Sequence, residues 1–137
     1  MNKQNFGCWR MVMVELNQSN WEEEVGRSNI LTLVYFWHQQ CPWCRQLTPT
    51  LERVSEEYLG KIKFARLNIL ESPSNQEMAT NLGVMGTPTL IFFCGGRPLM
   101  QMVGYTSEEE LRKVLEDMLR RYRTCLLQST DLRSYIV

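Results

Sequence analysis

The chain reads as an α/β domain, with a central mixed β-sheet of four to five strands and helices on both of its faces. Three observations predict this. Strand-like and helix-like hydrophobic periods alternate along most of the chain, the pattern of strands joined by helical crossovers. Ile30 to Trp37 (ILTLVYFW) is an unbroken apolar and β-branched run, as expected of a strand covered on both faces. Gly95-Gly96 separates two further strand-like runs and signals a tight hairpin that closes the sheet with an antiparallel edge.

At 137 residues the chain has room for one core. With 15 Lys+Arg against 15 Asp+Glu, it lacks the charge excess that draws a protein to nucleic acid or to an anionic membrane surface. No run approaches the roughly 18 apolar residues needed to cross a bilayer. The first twenty residues hold no uninterrupted apolar stretch leading to a small-residue cleavage site, so nothing predicts export. The expectation is a cytoplasmic, monomeric protein with an extension over 1–10, one domain over 11–122 and a tail over 123–137.

The elements follow in order. Met11 to Leu16 alternates as a strand, with Val12, Val14 and Leu16 on one face. Ser19 with Glu22 has the spacing of a capping box ahead of a short helix to about Arg27. Ile30 to Trp37 is the central strand. Beyond Cys41-Pro42-Trp43-Cys44, Leu47, Leu51, Val54 and Tyr58 recur at helical spacing up to Gly60, and Pro49 within that helix predicts a bend. Lys61 to Ile69 is a third strand. Ser72-Pro73-Ser74 and Glu77 open a short helix that ends at Gly83, with Met78 and Leu82 inward. Thr89 to Cys94 and Leu99 to Val103 are the arms of the hairpin. Ser107 and Glu110 cap a last helix, whose Leu111, Val114, Leu115, Met118 and Tyr122 form one apolar stripe.

The chemistry points to Cys41 and Cys44, placed where a buried strand hands over to a helix. Two cysteines at this spacing on the first helical turn can close a small disulfide ring. The free backbone N–H groups there stabilise the first thiolate. Cys41 is then the thiolate that attacks a substrate disulfide, and Cys44, one turn inward, resolves the mixed disulfide. Pro42 suits the first turn, where its missing N–H would have had no partner. The competing reading is half of a zinc site. It fails for want of a second pair, because Cys8, Cys94 and Cys125 stand apart and His38 is the only histidine, so no metal is expected.

Leu33-Val34-Tyr35-Phe36-Trp37, the Cys41-Pro42-Trp43-Cys44 segment and Pro49 follow one another in a telling order. Ala65-Arg66-Leu67-Asn68-Ile69, Leu82-Gly83-Val84-Met85-Gly86-Thr87-Pro88-Thr89, Gly95-Gly96 and Val103-Gly104 continue it. From about Val12 to Leu119 the chain resembles the thioredoxin family. The resemblance implies a five-stranded thioredoxin fold in which Pro88 is a cis-proline facing the disulfide, although the residues alone equally allow a trans proline opening a strand. It further implies that Trp43, Met85, Gly86, Thr87, Val103 and Gly104 line a shallow groove around Cys41 in which a substrate peptide pairs with the Thr87 backbone. For Gly104 a turn-forming role is as good a reading. The implied activity is reduction or exchange of protein disulfides. The electrons reside in the dithiol itself with no bound cofactor, and a separate thioredoxin reductase restores it. A glutaredoxin-like, glutathione-coupled activity and a non-catalytic interaction module are the alternatives.

The chain departs from the family pattern at several points. Tyr35 stands where the family carries a buried Asp that helps the inner cysteine lose its proton, and a phenol of ordinary pKa about 10 is a poor acceptor near neutrality. Tyr35 is therefore expected to pack the core, with the proton of Cys44 going to water, substrate or another group. His38 is either a nearby base or an ordinary loop residue. Pro-Trp replaces the common Gly-Pro between the cysteines and predicts a couple more oxidising than that of ordinary thioredoxins. Gln40 replaces a Trp, and Trp43 is either an exposed partner contact or the filling of a surface hollow. Trp37 matches the family Trp packed behind the active site. Cys94 is expected to be a small core residue. Cys8 and Cys125 are left as free thiols, a mutual disulfide, a dimer link or a regulated pair.

Overall fold

The computed structural model describes residues 13–122 and Cys125. The extension over 1–10, with Cys8, and the tail over 123–137 other than Cys125 lie outside the described residues. Five strands, β1 (Met13–Glu15), β2 (Leu31–Trp37), β3 (Ile62–Asn68), β4 (Thr89–Cys94) and β5 (Arg97–Val103), form one sheet in the order β1-β3-β2-β4-β5. The helices are α1 (Glu22–Gly26), α2 (Pro42–Glu57), α3 (Pro73–Asn81) and α4 (Glu108–Tyr122). β1, β3 and β2 run parallel, while β4 and β5 are antiparallel, so the sheet is mixed as the hairpin signal predicts.

The unbroken apolar run becomes the middle strand for a plain reason. Successive side chains of β2 point to opposite faces, and both faces are covered. Leu31, Leu33 and Tyr35 join Leu47, Leu51, Val54, Leu90, Phe92, Leu111, Leu115 and Met118 in one core, against α2 and α4. Val34 and Phe36 join Val25, Ala65, Leu67, Ala79, Ile91 and Phe93 in the other, on the α1 and α3 side. Burial of each such large side chain contributes roughly 1.5–3 kcal/mol. β5 is mostly exposed along its length and is an edge strand, which accommodates Pro98, a residue that cannot donate to a neighbouring strand.

One cap differs from expectation. Ser19 does not cap α1. The Asn17 carboxamide oxygen takes the Ser19 amide, the Ser19 hydroxyl and the Asn20 amide, forming a turn that outcompetes the capping box. α1 is instead a single wide turn closed by the Arg27 amide on the Glu22 carbonyl. The other caps form as read: Ser72 Oγ accepts the Asn75 amide and Ser107 Oγ the Glu110 amide. α2 continues through Pro49 without interruption. α4 is fastened to α2 by Arg112, which donates two parallel bonds to Glu57 at 2.8 and 2.9 Å and also bonds Glu108. The Arg112 bonds hold the Glu57 carboxyl below its ordinary range, and a bond from Arg53 on α2, with that of Arg112, does the same for Glu108.

Candidate active site

Cys41 ends the loop that leaves β2 and is the N-cap of α2, with Pro42 in the first turn. Its extended backbone leaves the Cys44 amide free to point back, and that N–H donates to Cys41 Sγ at 3.1 Å. A sulfur at a helix N-terminus that already accepts a backbone N–H is one whose anionic form is stabilised. Cys41 and Cys44 are bonded to each other, with Cα atoms 5.2 Å apart. Cys44 is 1% exposed and Cys41 5%, so what access there is reaches the outer sulfur.

The strand register brings the rest to the same end of the sheet. Phe36 pairs with Thr89, which places Pro88 beside the end of β2 that leads to the cysteines, and Thr89 pairs with Val103 on the other side. The Thr87-Pro88 bond is cis. The Gly104 amide donates to the Pro88 carbonyl at 2.8 Å, and Gly104 has a φ of +94°, a conformation open to glycine and rarely to other residues. Thr89 Oγ1 donates to the Gly86 carbonyl and holds the approach to Pro88. Trp43, Met85, Val103 and Tyr105 are all exposed, Met85 almost completely. The Trp43 and Tyr105 rings lie 5.5 Å apart, so an aromatic wall joins the start of α2 to the segment after β5. Tyr105 did not emerge from the sequence; its one signal was position, an aromatic directly after Val103-Gly104.

Below the cysteines, hydroxyl groups meet the backbone of the first turn of α2. Tyr35 is buried; its hydroxyl donates to the Cys44 carbonyl at 3.1 Å and lies 2.8 Å from Thr48 Oγ1, which donates to the same carbonyl at 2.9 Å. Burial pushes the phenol above its ordinary pKa of 10, against the smaller downward pulls of the Thr48 bond and the Arg66 charge. Trp37 stacks on Tyr35 at 6.4 Å, and the Arg66 guanidinium lies 5.2 Å above the Trp37 ring while pairing with Glu15. His38 is turned into its own loop, where Nδ1 accepts the Gln40 amide at 3.2 Å.

Comparison with known proteins decides the family. The thioredoxin family model matches residues 12–117. The chain belongs to the thioredoxin family. Among thioredoxins it is 37% identical over 105 residues to one from Alicyclobacillus acidocaldarius, a match covering 77% of this chain and 96% of the relative. It is also 37% identical to one from Buchnera aphidicola, over 77% of this chain and 94% of that protein. A Staphylococcus haemolyticus thioredoxin is 35% identical, over 80% of this chain and the whole of the relative. Thioredoxins are disulfide oxidoreductases whose redox group is a Cys-x-x-Cys disulfide, here Cys41 and Cys44. Among the described residues, no group of three His, Cys, Asp or Glu side chains could hold a metal ion, and no helix is long and apolar enough to cross a membrane.

The remaining cysteines correct the sequence reading. Cys94 is buried as expected, but it is not a solitary core residue, and Cys125 is neither free nor paired with Cys8. The two are bonded to each other, 31 residues apart in sequence.

Proposed function

We propose that in this thioredoxin-type oxidoreductase Cys41 is the attacking thiol and Cys44 the resolving one. The observation that carries the assignment is the Cys44 N–H donated to Cys41 Sγ at the head of α2. In the reduced protein the Cys41 thiolate attacks one sulfur of a substrate disulfide. A Cys41–substrate disulfide forms, and the second substrate sulfur leaves as a thiolate that takes up a proton. Cys44, having lost its proton, then attacks Cys41 Sγ. The Cys41–Cys44 disulfide forms and the first substrate sulfur is expelled, so two electrons have passed to the substrate. A thioredoxin reductase, supplying two electrons and two protons, is the partner that this cycle requires, and the cytoplasm is a compartment in which it runs.

The exposed apolar surface of Trp43, Met85 and Val103, with Gly86, Gly104 and the Thr87-Pro88 backbone, is the substrate-positioning element. An extended peptide laid along Thr87 would bring its disulfide to Cys41. Two hollows of about 400 and 480 Å3 are lined by other residues, the first by Ile30, Leu31, Leu119 and Tyr122 among others, the second around Asn17 and Asn75. A flat site of this kind suits a protein substrate better than an enclosed small thiol. Tyr35 and Trp37 support the cysteines from beneath, and Pro42 opens the helix. The stabilised Cys41 thiolate also supports a couple more oxidising than that of ordinary thioredoxins.

Reduction of insulin by dithiothreitol, followed with and without the protein, tests the assignment. Wild type should accelerate it and Cys41→Ser should not; equal acceleration by both would refute it. A glutathione-coupled disulfide assay, expected to show little turnover, separates the glutaredoxin-like alternative.

A further inference from the structure

Two independent periodicities converge on a second pair of sulfurs. On β4, Leu90 and Phe92 face the α2 and α4 side of the sheet, and the alternation of a strand puts Cys94 on that face too. On α4, Leu111, Leu115 and Met118 are buried and Tyr122 packs against the same core; the spacing of four, three and four continues by three to Cys125. Cys94 and Cys125 are 2% and 3% exposed, and their Cα atoms are 5.9 Å apart, within the range a disulfide spans. Six residues of extended chain, about 20 Å, separate Cys94 from Pro88 at the active-site end of β4.

We propose that Cys94 and Cys125 form a second, non-catalytic disulfide centre, a redox-dependent staple that ties the end of the last helix to the sheet and is insulated from the Cys41–Cys44 couple. Distance forbids exchange between the two centres within one molecule. The sulfurs also differ in chemistry. Cys41 Sγ accepts an N–H at a helix terminus, whereas among the described residues no hydrogen bond reaches the sulfur of Cys94 or of Cys125. Thiols in apolar surroundings ionise reluctantly and leave slowly, so this disulfide persists while the catalytic one turns over.

The staple is made by exchange with a low-molecular-weight disulfide such as oxidised glutathione. The Cys125 thiolate attacks one sulfur of that disulfide, forming a mixed disulfide and releasing one small thiol. The Cys94 thiolate, held by the β4–β5 ladder, attacks the Cys125 sulfur and releases the second. Two protein thiols and one small disulfide become one protein disulfide and two small thiols. The protein then keeps its last helix fastened in both states of the active site, and loosens it only in surroundings reducing enough to open a buried bond.

The test uses the full chain, oxidised with glutathione disulfide and then exposed to dithiothreitol. Samples taken over time are alkylated with iodoacetamide, and peptide mass spectrometry assigns each cysteine. Native Cys41–Cys44 should open more than about tenfold faster than Cys94–Cys125, and in concentrated guanidinium the difference should shrink below that factor. Alkylation of Cys94 and Cys125 before any reductant is added, or native opening rates within tenfold of each other, would overturn the proposal. Cys125→Ser should keep the insulin-reduction rate within about twofold and lower the thermal midpoint by about 5 °C or more. A Cys41→Ser/Cys44→Ser variant, in which Cys94–Cys125 alone can open, should show the same lowering on full reduction, which keeps the test valid should Cys125→Ser fail to fold. An unchanged midpoint on reducing that double variant would remove the staple.

Discussion

The Tyr35 hydroxyl donates to the carbonyl of Cys44 at 3.1 Å, from directly beneath the inner cysteine. It stands where the resemblance to the family implies a buried Asp, and a phenol there is suited to a different job. A phenol whose pKa burial has raised stays protonated across the working range, so it positions the first turn of α2 and takes no proton. Tyr35→Phe should therefore lose about 1 kcal/mol of stability, the net value of a buried hydrogen bond, and leave the pH dependence of insulin reduction unchanged. A shifted pH midpoint in that variant would show the phenol to be part of the proton path.

Gly104 joins the segment after β5 to Pro88 while holding a φ of +94°. A Cβ built there meets nothing within 4 Å, so an alanine is opposed by backbone conformation and not by a clash. Gly104→Ala should lower stability by about 1–2 kcal/mol. Chemical denaturation measures this directly, and an unchanged midpoint would contradict it.

The aromatic wall gives a prediction about binding. Trp43 and Tyr105 are 58% and 46% exposed, so each has a large face left for a partner. Trp43→Ala or Tyr105→Ala should lower stability by about 1–2 kcal/mol, from the part of the ring that is covered, and raise KM for a protein disulfide several-fold. Unaltered KM in both variants would take the wall out of substrate binding.

These contrasts show which features the sequence carried openly. The ILTLVYFW run declared itself the central strand because a strand buried on both faces has no polar side to show. The cysteine pair was legible because its spacing, its proline and the strand before it all agree. The Ser19 cap was misread because Asn17, two residues earlier, offers a competing acceptor that the capping pattern does not consider. The Cys94–Cys125 bond is silent in the sequence because the two cysteines lie 31 residues apart with no shared motif, and only the fold brings them together. Thr48 was silent for another reason. A threonine within a helix commonly bonds back to the preceding turn, and only the fold brings a tyrosine to it.

Tyr58 supplies a pH prediction. Burial, with the bond and charge of Glu116 adding to it, pushes its pKa up to about 12 from 10. The neutral phenol is thus favoured in the folded state. Its contribution is fully present below pH 10 and is lost as pH rises from 10 to 12, because the unfolded chain ionises first. Denaturation over that range should show stability falling with pH, and Tyr58→Phe should flatten part of the fall. An identical slope in the variant would contradict the assignment.

The division of labour between the two cysteines is tested most directly by trapping the mixed disulfide. Cys44→Ser and Cys41→Ser are each incubated with a disulfide-bearing protein substrate, quenched in acid and resolved without reductant. Cys44→Ser should accumulate a covalent adduct that mass spectrometry maps to Cys41, since attack proceeds and resolution cannot, and Cys41→Ser should accumulate none. An adduct mapped to Cys44 in Cys41→Ser, with none on Cys41 in Cys44→Ser, would reverse the roles and contradict the account.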